Sequence, residues 1–237
     1  MEEDMLFDKT YECPLCNKKF KERTLRTGKA RLIATDIDLA LHFEGIEPLK
    51  YDVILCPHCG YTAVSRYFLA LPQPQKKMIQ EQITANFKAK ITYQKVFTYE
   101  DALNRYKLAL ANAAVKGAKN SEIAYICLRA GWLLRSKSHE LQESQNVDSK
   151  EIQETKEMED TFLKKAYDEF LAARASEEYP MCGMDESTAD YLLAALAVRF
   201  HQKEAAEKLI SDLILSPSCS SRIKDRVREL KETMMVS

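Results

Sequence analysis

Two copies of one short motif, Cys-Pro-x-Cys, constrain this chain more than any other feature. The first copy is Cys13–Cys16 and the second is Cys56–Cys59. The proline presets φ for a tight turn, and the residue after each motif, Asn17 or Gly60, tolerates the positive φ that closes such a turn. Two turns of this kind supply four thiolates, the ligand set of a closed tetrahedral zinc site. We therefore predict a structural Zn²⁺ bound by Cys13, Cys16, Cys56 and Cys59.

Composition restricts the class of protein. The 237 residues are 46% apolar, which supports a substantial core, and 30% charged with a net charge of −1. This balance lacks the global basic excess of a nucleic-acid-binding protein. No apolar run approaches the roughly 18 residues of a membrane span, and the acidic start at residues 1–4 is unlike a secretory signal. With an odd count of seven cysteines, the chain is expected to be cytoplasmic, with no membrane partner.

The N-terminal part shows the two-residue period of β-structure. Apolar residues alternate with polar ones from Ile33 to Phe43, which predicts one half-buried strand, and the alternation returns at residues 51–55. Because 39 residues (17–55) separate the two motifs, we expect a sheet more elaborate than a minimal zinc ribbon. Residues 1–70 are predicted to be a zinc-ribbon-like β domain.

From Pro72 onward the period is helical. Residues 71–237 are predicted to be a tetratricopeptide-like α-helical domain, because small and large apolar residues recur there at the spacings of that repeat. The predicted helices lie near 74–95, 99–115, 121–137, 150–175, 186–201, 203–215 and 220–234. Residues 138–151 are predicted to be a solvated connection or a frayed extension of the flanking helices. The predicted fold class is α+β, mostly α, with a small β domain followed by an array of antiparallel helical hairpins.

A basic stretch follows the first motif. Residues 18–31 contain seven lysines and arginines and one glutamate. One interpretation is a phosphate-binding face for nucleic acid, carried by Lys18, Lys19, Lys21 and Arg23. The other is that these cations offset the charge of four thiolates on a divalent metal. Aromatic residues for base stacking are few here, since Phe20 stands alone.

Three further polar residues lie close together in the predicted strand. Asp36, Asp38 and His42 share one face of it and offer carboxylate and imidazole ligands to a catalytic metal. The simpler interpretation, which we favour, is the solvated face of an edge strand.

The two motifs and the sequence between them carry a family resemblance. The residues are Cys13-Pro14-x-Cys16, Asp36-x-Asp38, and the run from Gly45 through Tyr51-Asp52-Val53 to Cys56-Pro57-His58-Cys59-Gly60-Tyr61. This pattern resembles a bacterial family known as domain of unknown function 2225. The resemblance implies a cytosolic bacterial protein with a zinc ribbon fused to a tetratricopeptide-like tail, and it implies the four cysteines as ligands.

Three functions remain open. The leading hypothesis is a non-enzymatic zinc-binding scaffold whose helical domain binds a protein or peptide partner. The alternative is a nucleic-acid- or ribosome-associated zinc ribbon that uses the 18–31 stretch. The third and weakest is a metalloenzyme that uses Asp36, Asp38 and His42.

Overall fold

The chain folds as an α+β protein that is mostly α-helical. The computed structural model describes residues 2–88, 91–144 and 149–236. Antiparallel β-hairpins form the N-terminal part, and helices form the rest. No helix among the described residues is long and apolar enough to cross a membrane.

Three two-stranded antiparallel hairpins make up the N-terminal part. The strands are β1 (Leu6–Glu12), β2 (Lys19–Leu25), β3 (Arg31–Thr35), β4 (Leu41–Glu44), β5 (Val53–Leu55) and β6 (Thr62–Val64). The hairpins pair β1 with β2, β3 with β4, and β5 with β6. The β3–β4 hairpin occupies the long interval between the two cysteine motifs, which accounts for the unusual spacing.

The single strand predicted from Ile33 to Phe43 is wrong, because the chain reverses within it. Residues 36–40 form the turn between β3 and β4. Leu39 takes a φ of 71°, and the side chain of Asp38 accepts a hydrogen bond from the Ala40 N–H at 3.3 Å. A short polar side chain of this kind stabilises a turn that glycine and proline do not mark.

The helical part follows the predicted order. Its helices are α1 (Gln73–Gln82), α2 (Tyr99–Val115), α3 (Asn120–Glu143), α4 (Ser149–Ser176), α5 (Glu186–Arg199), α6 (Lys203–Leu215) and α7 (Ser221–Val236). The bounds of α2 and α6 agree with the prediction. α3 extends six residues further than expected, into the predicted connection 138–151, of which residues 145–148 lie outside the described part of the chain.

The first predicted helix, 74–95, is too long. α1 ends at Gln82, where the side-chain amide of Asn86 donates to the Gln82 carbonyl at 3.0 Å and so caps the helix end. A short 3₁₀ helix at Thr84–Asn86 follows, and the described residues from Phe87 to Val96 are not helical. This segment lies against the β1–β2 hairpin, since Tyr93 donates to Asp8 at 3.0 Å.

Consecutive helices pack as hairpins. The most extensive contacts join α3 to α4, α5 to α6, and α2 to α3. α3 and α4 approach closely at Gly131, where an added Cβ would lie 2.5 Å from Cδ2 of Leu163. Helix lengths range from 10 residues in α1 to 28 in α4, so tetratricopeptide-like regularity remains a prediction.

One hydrophobic cluster joins the two parts of the chain. It combines residues of the 3₁₀ helix at Pro48–Tyr51 and of β5 and β6 with residues of α2 and α3. Tyr106 of α2 is fully buried in it, and its hydroxyl donates to the Leu49 carbonyl at 3.2 Å. The division into domains 1–70 and 71–237 remains a prediction, and the shared core means that the two parts stabilise each other.

Candidate metal centre

Each cysteine motif forms the turn of a hairpin, and the two turns have the same backbone geometry. In the first, the Asn17 N–H donates to the Cys13 carbonyl at 2.8 Å, and in the second the Gly60 N–H donates to the Cys56 carbonyl at 3.0 Å. Asn17 and Gly60 have φ values of 60° and 75°. The positive φ expected from the sequence is confirmed at both positions. We call these turns the first knuckle (residues 13–17) and the second knuckle (residues 56–60).

The two knuckles bring four sulfur atoms together. The Sγ atoms of Cys13 and Cys59 are 3.6 Å apart, and those of Cys16 and Cys56 are 3.7 Å apart. All four lie within 4.8 Å of one another. A tetrahedral ion with metal–sulfur bonds of about 2.3 Å requires sulfur–sulfur edges of about 3.8 Å. The four sulfurs therefore fit a single tetrahedral ion, and they are too far apart for disulfides.

The site is buried beneath aromatic side chains. Cys13 and Cys56 have no exposed surface and Cys59 is 3% exposed, whereas Cys16 is partly exposed. Stacked and edge-on rings of Tyr11, Phe20, Tyr61 and Phe68 pack in the cluster around the sulfurs. Burial of this kind keeps water from three of the four ligands.

The electrostatics of the free thiols favour a cation. Hydrogen bonding to Cys56 raises the pKa of Cys13, and hydrogen bonds from Cys13 and Cys59 lower the pKa of Cys56. One thiolate is thus stabilised by its neighbours, which are held protonated because adjacent anions repel. A divalent metal removes this repulsion and allows all four sulfurs to bind as thiolates.

The arrangement can bind a metal but leaves no position for a substrate. Four protein ligands complete a tetrahedron, while catalytic sites of this kind keep one position for water or substrate. Within the described residues, the four cysteines are the only group of three or more potential ligands placed to hold one ion.

The structure separates the residues predicted to bind nucleic acid. Lys18, Lys19 and Lys21 are exposed on or beside β2. Arg23 is only 8% exposed, with its guanidinium bonded to Asp8 at 3.1 Å and to the Lys95 carbonyl at 2.8 Å. The Arg23 guanidinium is therefore engaged within the protein and does not face solvent.

The predicted trio of Asp36, Asp38 and His42 does come together, at the tip of the β3–β4 hairpin. His42 Nε2 lies 2.7 Å from Asp36 Oδ1. Arg135 of α3 contacts both carboxylates, with distances of 2.7 and 2.8 Å from Nη1 to Asp36 and Asp38 and 2.7 Å from Nη2 to Asp38. The carboxylate oxygens of Asp36 and Asp38 are therefore bonded to Arg135, which gives these two residues a structural role as ion-pair partners. The solvated strand face that we favoured is wrong for Asp38, which is 4% exposed.

The hairpin tip is held by helices that are distant in sequence. Asp38 also accepts from Trp132 Nε1 at 3.2 Å, and the Ile37 carbonyl accepts from the Tyr191 hydroxyl at 2.6 Å. Arg135 contacts Glu159 of α4 at 2.9 Å. The contacts of the hairpin tip with Trp132, Arg135 and Tyr191 have no local pattern in the sequence, because they join residues 94 to 154 positions apart.

Fold and site together define a class: a ribbon-like module with four cysteines at metal-binding distance, joined through a common core to helical hairpins. The chain belongs to a family described as uncharacterized proteins conserved in bacteria, DUF2225, whose model matches residues 6–234. It is also similar to an uncharacterized protein of Borreliella burgdorferi, at 28% identity over 113 residues. That match covers 42% of this chain and 40% of the relative's length. No solved structure matches the chain.

Proposed function

We propose that this protein is a non-enzymatic scaffold whose N-terminal hairpins are held together by structural zinc and whose helices bind a protein or peptide partner. The observation that carries the proposal is the closed set of four sulfurs, three of which belong to buried cysteines. A set without an open position supports a structural role, and a zinc site of this type contributes binding free energy to folding, about 10–16 kcal/mol in zinc-finger peptides. A bacterial cytoplasm, where thiols stay reduced, suits such a site.

Zinc is the proposed metal because of ligand type and size. Four thiolates in tetrahedral geometry are typical of zinc or of iron–sulfur centres. The sulfurs lie within 4.8 Å of one another, which leaves room for one ion and not for a cluster of several irons. A single iron is the remaining competitor, and metal analysis distinguishes it from zinc.

The proposed partner surface is a cleft between the β3–β4 hairpin tip and the helices. It has a volume of about 540 Å³ and is bounded by α3, α5 and α7. Val198 and His201 line it beside the ion-paired Arg199 and Arg135. A cleft with an apolar floor and a charged rim is the arrangement found in sites for protein segments.

The metal proposal is tested by elemental analysis of the purified protein. We expect one zinc per chain in the natural protein, and a loss of zinc with unfolding of the hairpins in Cys56→Ser. Cys219→Ser is the matched control, because Cys219 is a buried cysteine of the helical part and should leave zinc content unchanged. Iron in place of zinc, or a metal-free protein that remains folded, contradicts the proposal.

The partner proposal is tested by affinity purification from a bacterial lysate with quantitative mass spectrometry. We expect to recover a partner whose binding resists salt and is lost in the variants His201→Glu and Val198→Glu. Leu215→Glu is the control, since Leu215 is 78% exposed on α6 and does not line the cleft. A partner retained equally by all three variants argues against this surface.

The second candidate function is binding of nucleic acid. The observation that favours it is the exposure of Lys18, Lys19 and Lys21 near the first knuckle, with no ion pair to any of them in the part of the chain that the structure describes. Lys19 and Lys21 lie two residues apart on β2 and so point to the same face of the β1–β2 hairpin. Their cross-strand neighbours on β1 are Glu12 and Thr10.

This second function predicts a strong salt dependence. Retention on RNA or DNA should collapse between about 50 and 200 mM salt and after charge reversal of the three lysines. Reversal of Lys107, Lys203 and Lys208, which are exposed on α2 and α6, is the control. Equal loss in both triple variants indicates a nonspecific charge effect and argues against the candidate.

A further inference from the structure

The two knuckles have the same backbone geometry, but they differ in the contacts that they receive from the rest of the chain. The second knuckle is anchored by residues outside its own hairpin. The side-chain amide of Asn112 on α2 donates to the Gly60 carbonyl at 3.4 Å, and the hydroxyl of Thr84 donates to the Cys59 carbonyl at 2.9 Å. These bonds fix two consecutive carbonyls at the end of the turn, that of Cys59 and that of Gly60.

Packing restrains the second knuckle as well. The ring of Phe87 lies over Gly60 so closely that an added Cβ would stand 2.5 Å from its Cδ2 atom. The residues that follow α1 therefore pack on this knuckle, in addition to its hydrogen bond from α2.

Asn112 occupies a position that is costly for a polar side chain. It is 1% exposed, and its Nδ2 atom donates to Gly60 and to the Leu108 carbonyl. Its Oδ1 atom is buried with no hydrogen-bond partner among the described residues. Burial of an unpaired amide oxygen opposes folding, so the contribution of this side chain must come from the bonds that its nitrogen makes.

The first knuckle is packed through Leu15 in the apolar cluster around the sulfurs, but it has no comparable hydrogen bonds from outside its hairpin. Its backbone bonds, from Asn17 to Cys13 and from the Cys13 N–H to the Lys18 carbonyl at 3.1 Å, stay within the β1–β2 hairpin. In the described ranges, no side chain of the helical part donates to a carbonyl of residues 13–17. Cys16 in this knuckle is also the one ligand of the four with partial exposure.

We propose that the second knuckle is a preformed half-site that binds the metal first, and that the first knuckle then closes over it. Asn112 and Thr84 are positioning residues for the pair Cys56 and Cys59, and the metal enters and leaves past Cys16. The inference rests on the metal site proposed above. It places control of metal exchange in the helical part of the chain, which contributes no ligand.

The positioning role is tested by zinc affinity, measured by competition with a chromogenic chelator. Outer-shell partners of metal ligands are typically worth about 10- to 100-fold in metal affinity. We expect a loss of this size in Asn112→Ala and in Thr84→Val, and near-natural affinity in Thr84→Ser, which keeps the hydroxyl. Asn104→Ala is the control for Asn112→Ala, because Asn104 is exposed on the same helix. If Thr84→Val and Asn112→Ala bind zinc as tightly as their controls do, the positioning role of Thr84 and Asn112 is wrong.

A loss of global stability is separated from a positioning effect by a cavity variant. Leu213→Ala opens a cavity in the cluster around α6, away from the knuckles, and should lower stability without changing zinc affinity. If it weakens zinc binding as much as Asn112→Ala does at a matched loss of stability, the positioning role is wrong.

The order of binding is tested with Co²⁺, whose thiolate charge-transfer absorbance reports the number of bound sulfurs. We expect Cys13→Ser and Cys16→Ser to bind Co²⁺ at least about tenfold more tightly than Cys56→Ser and Cys59→Ser do. Equal affinities across the four variants overturn the half-site proposal while leaving the metal site intact. A natural protein that binds neither Zn²⁺ nor Co²⁺ instead removes the metal site itself.

Discussion

Arg105 of α2 and Glu22 of β2 form a buried ion pair that joins the hairpins to the helices. The two side chains are 10% and 7% exposed, and Nη1 lies 2.8 Å from Oε2. The Glu22 carboxylate also accepts from the Leu55 N–H at 3.3 Å, and Arg105 donates to the Val53 carbonyl at 3.3 Å. One carboxylate thus connects β2, β5 and α2, so the orientation of the metal-bearing hairpins depends on α2.

Loss of either partner should be strongly destabilising. Removal of one member of a buried ion pair leaves the other charge without compensation, at a cost of about 3–5 kcal/mol. We expect Glu22→Ala and Arg105→Ala each to lower the free energy of unfolding in urea by this amount, and the double variant to cost less than their sum. Arg31→Ala is the control, because Arg31 and Glu44 are 78% and 60% exposed and such pairs contribute at most about 1 kcal/mol. Additive costs contradict the prediction.

Gly60→Ala should damage the second knuckle in two ways. Its φ of 75° is disfavoured for alanine by about 1–2 kcal/mol, and the new Cβ meets the Phe87 ring, which adds an overpacking cost of about 1–3 kcal/mol. Gly28→Ala separates the two effects, because Gly28 has a φ of 76° and open space around it. We expect thermal denaturation to show the larger loss for Gly60→Ala and partial recovery in Gly60→Ala with Phe87→Ala. Equal losses at both glycines rule out the steric contribution.

Asp38 should make stability depend on acid pH. Burial opposes ionisation of this carboxyl, but hydrogen bonds and charge from Arg135 outweigh burial and hold the pKa of Asp38 below its usual range. Its contribution is therefore complete above the unfolded pKa of about 3.9 and is lost as the pH falls through the lower folded value. We expect Asp38→Asn to cost about 1.5–3 kcal/mol at pH 7, with a difference from the natural protein that shrinks below about pH 4. Asp160→Asn is the control, because the Asp160 carboxylate is 55% exposed. A difference that stays constant down to pH 2 contradicts this origin.

Local signals account for what the sequence predicts correctly. Two residues between cysteines, with proline inside and a residue of permitted positive φ after them, specify a knuckle without help from the rest of the chain. The bounds of α2 are equally local, since Thr98 and Asp101 form the capping box at its start. In these places the residues that determine the structure lie within a few positions of one another.

The parts that the sequence does not predict are those that distant residues determine. The turn at Leu39 depends on the Asp38 contacts to Arg135 and Trp132, 97 and 94 residues away. Alternation continues through this turn, so the pattern of a single strand and that of a hairpin are the same. The support of the second knuckle by Asn112 is likewise invisible in sequence, because an asparagine in a helix has no local mark of its partner 52 residues away.

The capping box of α2 should contribute measurably to stability because α2 supports both the shared core and the second knuckle. The Thr98 hydroxyl accepts from the Asp101 N–H at 3.1 Å, and the Asp101 carboxylate accepts from the Thr98 N–H at 2.9 Å. We expect Thr98→Ala to lower the free energy of unfolding by about 1 kcal/mol, and Thr98→Ser, which keeps the oxygen, to leave it nearly unchanged. If fraying of α2 loosens the knuckle, Thr98→Ala should also increase amide hydrogen exchange at Asn112 and Gly60. Faster exchange confined to the first turn of α2 indicates instead that the far end of the helix is held by its own contacts.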